Sequence, residues 1–445
     1  MPTNPQRQAG QAEPSESRSP YVLPQEPIVS ATLAANVTEC YERFATQGLP
    51  QPLELFLLEK FGLDVSAEYG GLKIRNPWGK ASGQLSTTLS QVRSDVSAGL
   101  GFVVLKTVIA QDARGAQTMH EWARPETRMV VERIVGRSGE VGWTVTWKGR
   151  GWAGSFDEYT TFVREARMAA GETTLIVPSC KFHLPASREE PWNKEEYAFT
   201  TARLQEAWHS VQTTQWQKMP LEKDLSPTLA GSERAGQQEL VLSWLQKIPA
   251  MIRQAAQDAA PTFPKPLIGV KLFNALWDEA FQLSMLKTLH TQTQPPDFLV
   301  YANRLFDPNR EFEGQRGVAY GGPDLSDRNL RVLTAFDRLC RHPNTGFARL
   351  PLSATGNICS GKLALEYALR GASSFQLHTF FQLPATEYRM KQGTRTEKAL
   401  HELYFHPKRG FVVWAHHIAS RLGLLSKPIQ FLQLVGKLAE LTETR

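Results

Sequence analysis

The chain has 445 residues, of which 41% are hydrophobic and 21% charged, a composition typical of globular proteins. Fifty basic residues against 44 acidic ones give a formal charge of +6, too mild and too dispersed to predict a nucleic-acid partner. No apolar run is long enough to span a bilayer, so no membrane partner is expected. The four cysteines are far apart and form no Cys-x-x-Cys pair, which argues against a metal site and predicts the reduced thiols of a cytoplasmic protein.

The chain begins with a polar segment rich in Pro, Ser and Gln, "MPTNPQRQAGQAEPSESRSPYVLPQEP". It lacks the apolar stretch of a signal peptide, and its composition is typical of disorder. We therefore predict three regions: a mostly disordered N-terminal arm over 1–50, a barrel domain over 51–385, and a C-terminal helical extension over 386–445.

From about residue 53 onward, short apolar runs alternate with longer amphipathic stretches. The runs lie at 77–83, 102–107, 173–179, 219–226, 266–273, 297–303, 349–356 and 373–379. Eight strands alternating with helices indicate the α/β class and a (β/α)8, or TIM, barrel. A doubly wound open sheet is the competing fold, but it gives no reason for eight runs. The long interval between Thr107 and Thr173 contains β-type runs, which predicts an excursion after the second strand on the catalytic face.

The stretch "SATGNICSGKLALEYALRGASSFQLHTFF", from Ser353 to Phe381, has the pattern strand, turn, helix, strand. Its two turns would lie side by side at one end of the sheet. A barrel can make a phosphate cradle from the backbone N–H groups of such turns. The alternative, which this stretch alone leaves open, is an ordinary strand-helix-strand unit with a glycine at a turn.

Two lysines, Lys106 and Lys271, lie within apolar strand runs, near the ends that would face a barrel active site. A lysine in such a run is costly unless it has an anionic partner. One explanation is a structural salt bridge. The other is a bound anionic cofactor that satisfies both lysines, and with a phosphate cradle nearby we expect FMN.

These residues resemble the dihydroorotate dehydrogenase family, including the related flavin domain of dihydropyrimidine dehydrogenase, over roughly 70–385. "NPWGKASG" resembles the motif whose backbone meets the flavin, which implies contacts from Ala81, Ser82 and Gly83. "FVVLKTV" resembles the strand whose lysine, here Lys106, contacts flavin and substrate. The remaining ring contacts implied by "LIVPS" and "GVKLF" are Ser179, under the ring, and Lys271, facing its N1 and O2.

The resemblance also implies a substrate contact and a phosphate site. "YANR" matches a strand end whose asparagine, here Asn303, reaches the substrate. "RGVAYGGPDL" resembles a glycine loop near the phosphate. The residues implied to hold the FMN phosphate are Gly321, Gly322, Gly356, Asn357, His378 and Thr379.

The chain departs from the family pattern at the fourth strand, "LEKDLSPTL". Asp224 replaces an asparagine and would face the substrate, Ser226 remains, and Pro227 stands where the family has its cysteine base. The asparagines expected in the excursion are replaced by tryptophans, Lys148 and Arg150. Trp147, Trp152 and Arg150 suggest a bulkier or anionic substrate; the alternative is that the tryptophans only pack the excursion down. His378 replaces the usual glycine. The flavin contacts are thus kept, while the pyrimidine contacts and the usual base are largely lost.

The resemblance and its departures predict an FMN-dependent oxidoreductase acting on a C–C single or double bond of a small molecule other than dihydroorotate. Lys106 and Ser226 are the candidate catalytic residues. A catalytically impaired FMN-binding protein is the main alternative, and a reductase of RNA uridines is disfavoured by the mild charge. A homo-oligomer is possible, and the electron partner stays open.

Overall fold

The structure is a computed structural model that describes residues 19–123, 129–147, 151–225, 237–274, 278–312, 314–342, 347–425 and 428–443. The α-helices are α1 (Ala31–Gln47), α2 (Leu53–Phe61), α3 (Leu89–Ala98), α4 (Phe156–Ala170), α5 (Lys194–His209), α6 (Gln238–Ala259), α7 (Glu279–Thr291), α8 (Pro323–Arg341), α9 (Gly361–Leu369), α10 (Arg395–Phe405), α11 (Phe411–Arg421), α12 (Phe431–Leu434) and α13 (Leu438–Glu443). The strands are β1 (Leu63–Asp64), β2 (Ala67–Tyr69), β3 (Leu72–Ile74), β4 (Trp78–Lys80), β5 (Phe102–Val104), β6 (Val108–Ile109), β7 (Met129–Val135), β8 (Val141–Trp147), β9 (Leu175–Val177), β10 (Ser179–Lys181), β11 (Pro220–Asp224), β12 (Leu267–Phe273), β13 (Phe298–Asn303), β14 (Leu305–Phe312), β15 (Gln315–Tyr320), β16 (Leu352–Thr355), β17 (Ala372–Leu377) and β18 (Ile429–Gln430).

The main feature is a parallel sheet of ten strands in the order β6-β10-β11-β12-β13-β16-β17-β4-β5-β9. Every run predicted from the sequence contains a strand of this sheet, so the mixed α/β class is confirmed. β5 and β6 follow one another closely in the chain, and they pair with β9 and β10 respectively. The strands are buried because helices cover the sheet, which explains their nearly continuous apolar sequences.

Polar side chains share one face of the sheet at β11 and β12. Glu222 and Asp224 are two residues apart in β11, so they point to the same side. Lys271 in β12 is the register partner of Asp224 and therefore lies on that side too. The strand alternation thus brings two acids and one lysine together inside the sheet.

Apart from the short hairpin β2–β3 that precedes the sheet, two antiparallel hairpins lie in the connections between its strands. The first hairpin, β7–β8, falls in the excursion predicted between Thr107 and Thr173, which confirms its β character. The second hairpin, β14–β15, follows the sixth parallel run, and the sequence analysis did not anticipate it. Its register shifts between Asp307 and Glu311, and this irregularity interrupts the alternation that would otherwise signal strands.

The prediction of a mostly disordered arm over 1–50 is wrong for the part of it that is described. Residues 31–47 form α1, which begins after the N-cap Ser30 and buries Val37, Cys40 and Phe44 along one stripe. Residues 19–28 lie across the outside of the helices and bury Leu23. The Pro- and Gln-rich composition concealed the helical stripe. Residues 1–18 lie outside the described residues.

The C-terminal extension is helical over α10 and α11, as the sequence predicts. It packs against α1, where the rings of Phe44 and Phe405 meet with centroids 5.1 Å apart. In the part of the chain that the structure describes, no helix is both long and apolar enough to cross a membrane.

Candidate ligand site at the carboxyl ends of the strands

A cavity of about 380 Å³ opens beside the carboxyl ends of β13, β16 and β17. This volume lies within the range of about 300–1,000 Å³ that is typical of small-molecule and cofactor sites. The predicted site residues that line it are Asn303, Gly321, Gly322, Gly356, Asn357, His378 and Thr379. The residues predicted for the phosphate therefore meet at one cavity, together with the asparagine predicted for the substrate.

Two neighbouring turns form one wall of this cavity. They follow β16 and β17, which pair in parallel, so the turns lie side by side. Gly356 and Asn357 both line the cavity and have positive φ, at 111° and 55°, a backbone geometry that forms anion-binding concavities of successive N–H groups in other proteins. No acceptor among the described residues bonds the N–H groups of Asn357, Ile358 or Thr379. These donors can serve an anion.

Side chains from α8 and α9 fix the first turn from behind. The Tyr367 hydroxyl donates to the carbonyl of Gly356 at 2.9 Å, and Asn357 donates through its amide to Ser326 at 2.9 Å. Asn329 donates to the carbonyl of Thr355 at 3.0 Å. A Cβ atom on Gly356 would lie 2.6 Å from the Asn329 amide nitrogen, so both space and φ require glycine there.

The predicted pair Gly321 and Gly322 has a partly different role. The Gly321 N–H donates to the Thr144 hydroxyl of the first hairpin at 2.9 Å, so it is already used within the protein. Gly322 precedes α8 with φ of 93° and lies against Ile134 of the same hairpin. The pair lines the cavity mainly by letting the hairpin approach α8 closely.

A hydroxyl network joins four strand ends at the carboxyl edge of the sheet, where the cavity also opens, although none of its residues lines the cavity. The Thr107 hydroxyl lies 2.8 Å from that of Ser82 and 2.9 Å from that of Ser179, and it donates to Asp224 at 3.2 Å. Because Thr107 gives its single proton to Asp224, Ser82 and Ser179 donate to Thr107. The structure therefore brings Ser82, Ser179 and Asp224 together. Thr107 was not singled out from the sequence, although it stands in the "LKT" motif.

Lys106 lies beside this network with only 7% of its surface exposed. Within the described residues, its ammonium group has no hydrogen bond or ion pair. Burial lowers the pKa of Lys106 to about 8, with Asp224 opposing this effect and Lys271 and Arg304 adding to it. Lys106 is thus a desolvated cation at the strand ends.

Lys271 has partners inside the sheet. Its ammonium lies 3.8 Å from Glu222 and donates to Gln376 at 3.2 Å. Tyr69 and Gln376 both donate to the other oxygen of Glu222. Burial raises the pKa of Glu222, and Lys271 is the main group opposing that rise. The salt-bridge explanation therefore accounts for Lys271, whose burial requires no cofactor.

His378 fills the space next to Gly83. Its Nε2 would overlap any Cβ atom added to Gly83, and its Nδ1 lies 2.9 Å from the amide nitrogen of Gln382. Burial, followed by the charges of Arg304 and Lys106, holds the pKa of His378 well below its usual value. The imidazole is therefore neutral.

These observations test the fit of FMN. The phosphate end fits, because a glycine turn and residues with unbonded N–H groups line a cavity of suitable size. At the ring end, the buried ammonium of Lys106 suits a flavin ring that carries negative charge. Ala81 directly precedes Ser82 of the hydroxyl network in the chain. Gly83, however, is covered by His378, so a ring against Gly83 requires the imidazole to turn away.

Some predicted residues do not contribute as expected, or lie outside the description. Ser226, Pro227 and Arg150 lie outside the described residues. Trp152 stacks on Phe162 of α4, with centroids 5.4 Å apart, and so packs the excursion down. Trp143, another tryptophan of the excursion, lines the cavity.

Sequence reasoning missed two further parts of the wall. Arg304 lines the cavity and donates to the carbonyls of Ala319 and Val145, which joins the two hairpins. Its position in the quoted "YANR" motif was the available signal. His406 and Arg409 of the C-terminal extension also line the cavity, so the extension belongs to the site. No local pattern could reveal that contribution.

No protein-family model matches the chain, and no curated protein sequence matches it. The resemblance to the dihydroorotate dehydrogenase family therefore rests on the motifs and on the positions of their residues.

Proposed function

We propose that this chain is an FMN-dependent oxidoreductase of the dihydroorotate dehydrogenase type, acting on a C–C single or double bond of a substrate other than dihydroorotate. One observation carries the proposal: two adjacent turns with unbonded N–H groups line the cavity, and the buried ammonium of Lys106, which forms no ion pair among the described residues, is close enough to His378 in the cavity wall to lower its pKa. A phosphate cradle next to a desolvated cation suits an anionic cofactor with a polarisable ring.

We also propose that the parallel sheet closes into an eight-stranded barrel. The support is that β9 and β10 are separated only by Pro178, yet β9 ends the strand order beside β5, while β10 is second from the other end, beside β11. β17 pairs with β4, so the last parallel run meets the first. A ring of pairings of this kind is what a (β/α)8 barrel requires.

In this proposal the N–H groups of Asn357, Ile358 and Thr379 hold the phosphate of FMN. Bound FMN would supply hydride transfer to or from the substrate carbon. Lys106 favours negative charge on its neighbour, since its ammonium has no other partner among the described residues. Lys271, held by Glu222 and Gln376, contributes a second fixed cation. Ser82 and Ser179 orient Thr107, which in turn orients Asp224.

Asp224 supports a substrate other than a dihydropyrimidine acid. An ionised carboxylate can only accept hydrogen bonds, whereas an asparagine can also donate. It would repel the carboxylate of dihydroorotate and would suit a substrate that presents a donor. Asn303 lies at the cavity wall, from which it can supply a complementary amide.

The second candidate is a protein that binds FMN without turnover. The observation that favours it is the sequence of the fourth strand, where Pro227 replaces the expected cysteine base. The His378 imidazole on Gly83 bears instead on flavin binding itself, because it occupies the place where the resemblance puts the ring. The two candidates predict different outcomes when the reduced flavin meets a substrate.

The decisive measurement is the absorption spectrum of the purified protein, followed by titration with FMN. We expect one FMN per chain, bound by the wild type and more tightly by His378→Gly, which uncovers Gly83. A wild type and a variant that are both colourless and take up no FMN would end the flavin proposal. Photoreduced protein should then be mixed with α,β-unsaturated acids and amides without oxygen. Reoxidation by one of them supports the oxidoreductase, and inertness toward all supports binding alone.

A further inference from the structure

The N-terminal strap, residues 19–28, lies directly behind the helices that hold the phosphate turn. Its backbone N–H groups at Val22 and Leu23 donate to Glu366 of α9 at 3.0 and 2.7 Å. Its Pro20 carbonyl accepts from Arg370 at 2.6 Å. Glu366 and Arg370 form a 2.8 Å ion pair with no exposed side-chain surface. The strap is thus bonded to a buried ion pair.

Tyr21 extends this attachment to α8. Its hydroxyl donates to the carboxylate of Asp327 at 2.6 Å. The same hydroxyl is close enough to Ser326 and Tyr367 for both to influence its pKa, which burial raises. Asp327 is buried, and in the described part of the chain Tyr21 is its side-chain hydrogen-bond donor. The tyrosine therefore joins the first turns of α8 to the side of α9.

Ser326 and Tyr367 are the residues that fix the cradle. Ser326 accepts from Asn357 at 2.9 Å, and Tyr367 donates to the Gly356 carbonyl at 2.9 Å. Asn329 of α8 also donates to the Tyr367 hydroxyl at 3.2 Å. Any shift between α8 and α9 would therefore change the direction of the N–H groups in the turn, on which binding of an anion depends.

We propose that the N-terminal strap is a positioning element of the phosphate site. Tyr21, acting through Asp327, Ser326 and Tyr367, keeps the Gly356–Asn357 turn in the conformation that binds a phosphate group. This inference rests on the phosphate cradle of the proposed function, and it adds residues that no motif of the barrel contains. In this inference the strap contributes to phosphate binding in addition to covering apolar surface.

The test uses the full chain carrying Tyr21→Phe, which keeps the ring and removes the hydroxyl. The matched control is Arg253→Gln, which removes a 3.1 Å ion pair with Asp297 at the amino-terminal end of β13, opposite the cavity. Calorimetric titrations with inorganic phosphate, FMN and riboflavin give the affinities, and urea denaturation gives the stabilities. Riboflavin lacks the phosphate and so reports on ring binding alone.

For Tyr21→Phe we expect roughly fivefold to tenfold weaker binding of FMN and of inorganic phosphate, and unchanged binding of riboflavin. Arg253→Gln should lose stability without any change in these affinities. If Tyr21→Phe is less stable but binds phosphate like the wild type, the strap is only structural and the proposal is overturned. Equal weakening of FMN and riboflavin would overturn it as well.

If the proposed function itself is wrong, the same titrations give a different pattern of affinities. A wild type that binds inorganic phosphate but neither flavin removes the FMN assignment, and the comparison of Tyr21→Phe with the control is then decided by phosphate alone. A wild type that binds neither phosphate nor FMN overturns the cradle and the strap together.

Discussion

Replacing Lys106 by methionine should stabilise the protein at neutral pH. Lys106 is 7% exposed, its ammonium forms no ion pair among the described residues, and its pKa is about 8 instead of the usual 10.5. Each pH unit of that difference corresponds to about 1.4 kcal/mol, so keeping the charge in the folded state costs about 3 kcal/mol. Methionine retains much of the volume of the lysine side chain without the charge.

The pH dependence has a definite sign. Between pH 8 and 10.5 the unfolded chain holds the Lys106 proton while the folded chain has released it, so the stability of the wild type rises with pH. The gain of Lys106→Met over wild type should therefore be largest below pH 8 and shrink as the pH approaches 10.5. Below pH 8 we expect a gain of about 2–3 kcal/mol.

The assay is urea denaturation without added ligand, at pH 7 and at pH 10. Lys223 offers a matched control, because burial also lowers its pKa to about 8. Its ammonium, however, donates to the carbonyls of Phe182 and Asp224 at 3.1 and 3.3 Å. Lys223→Met would leave these carbonyls without their donor and should gain less or lose stability. A Lys106→Met variant no more stable than wild type at pH 7 would refute the reasoning.

The same Lys106→Met variant tests the chemistry. With FMN bound, it should retain the flavin, have a lower flavin reduction potential and be reduced by its substrate on the order of a hundredfold more slowly, as expected for losing one preorganised electrostatic contact. An unchanged potential would mean that Lys106 is not near the ring, and the proposal of binding without turnover would gain support.

Three further outcomes are expected. Gly356→Val should lose binding of FMN and phosphate in titrations, because φ of 111° and the 2.6 Å approach to Asn329 exclude a side chain. Dihydroorotate and dihydrouracil should be poor substrates because of Asp224, and steady-state turnover of a few per second or more would show that the fourth strand was aligned wrongly. Glu222→Gln should cost about 3–5 kcal/mol in urea denaturation, because Lys271 would lose its counter-charge. An unchanged stability would mean that Glu222 is already protonated.

The parallel strands could be predicted from the sequence because buried strands leave a local signal. Runs such as "PLIGVKLF" and "DFLVYAN" are continuous in apolar residues and short, and they alternate with helical patterns. The strap leaves no such signal. Its order comes from hydrogen bonds to Glu366 and Asp327, more than 300 residues away, and no composition reveals a partner at that distance.

The site could be predicted in its local parts only. The turns at Gly356 and at His378 follow predicted strands, so strand pairing predicts that the two turns lie side by side. The imidazole on Gly83 and the arginine that joins the two hairpins depend on how distant segments pack. The sequence also could not show which N–H groups of a motif are used within the protein. Gly321, for example, donates its N–H to Thr144.

The two strand lysines show that the partners of a buried charge, and not its position in the sequence, indicate whether its role is structural or functional. In the sequence, Lys106 and Lys271 look equivalent, each a cation in an apolar strand. In the structure, Lys271 has Glu222 as a buried counter-charge at 3.8 Å, while Lys106 forms no ion pair among the described residues and is only partly compensated by the charge of Asp224. A cost of about 3 kcal/mol is a large part of the 5–15 kcal/mol that typically holds a domain together. Because folding gains nothing from the charge of Lys106, a ligand that this charge binds gives the best reason for its position.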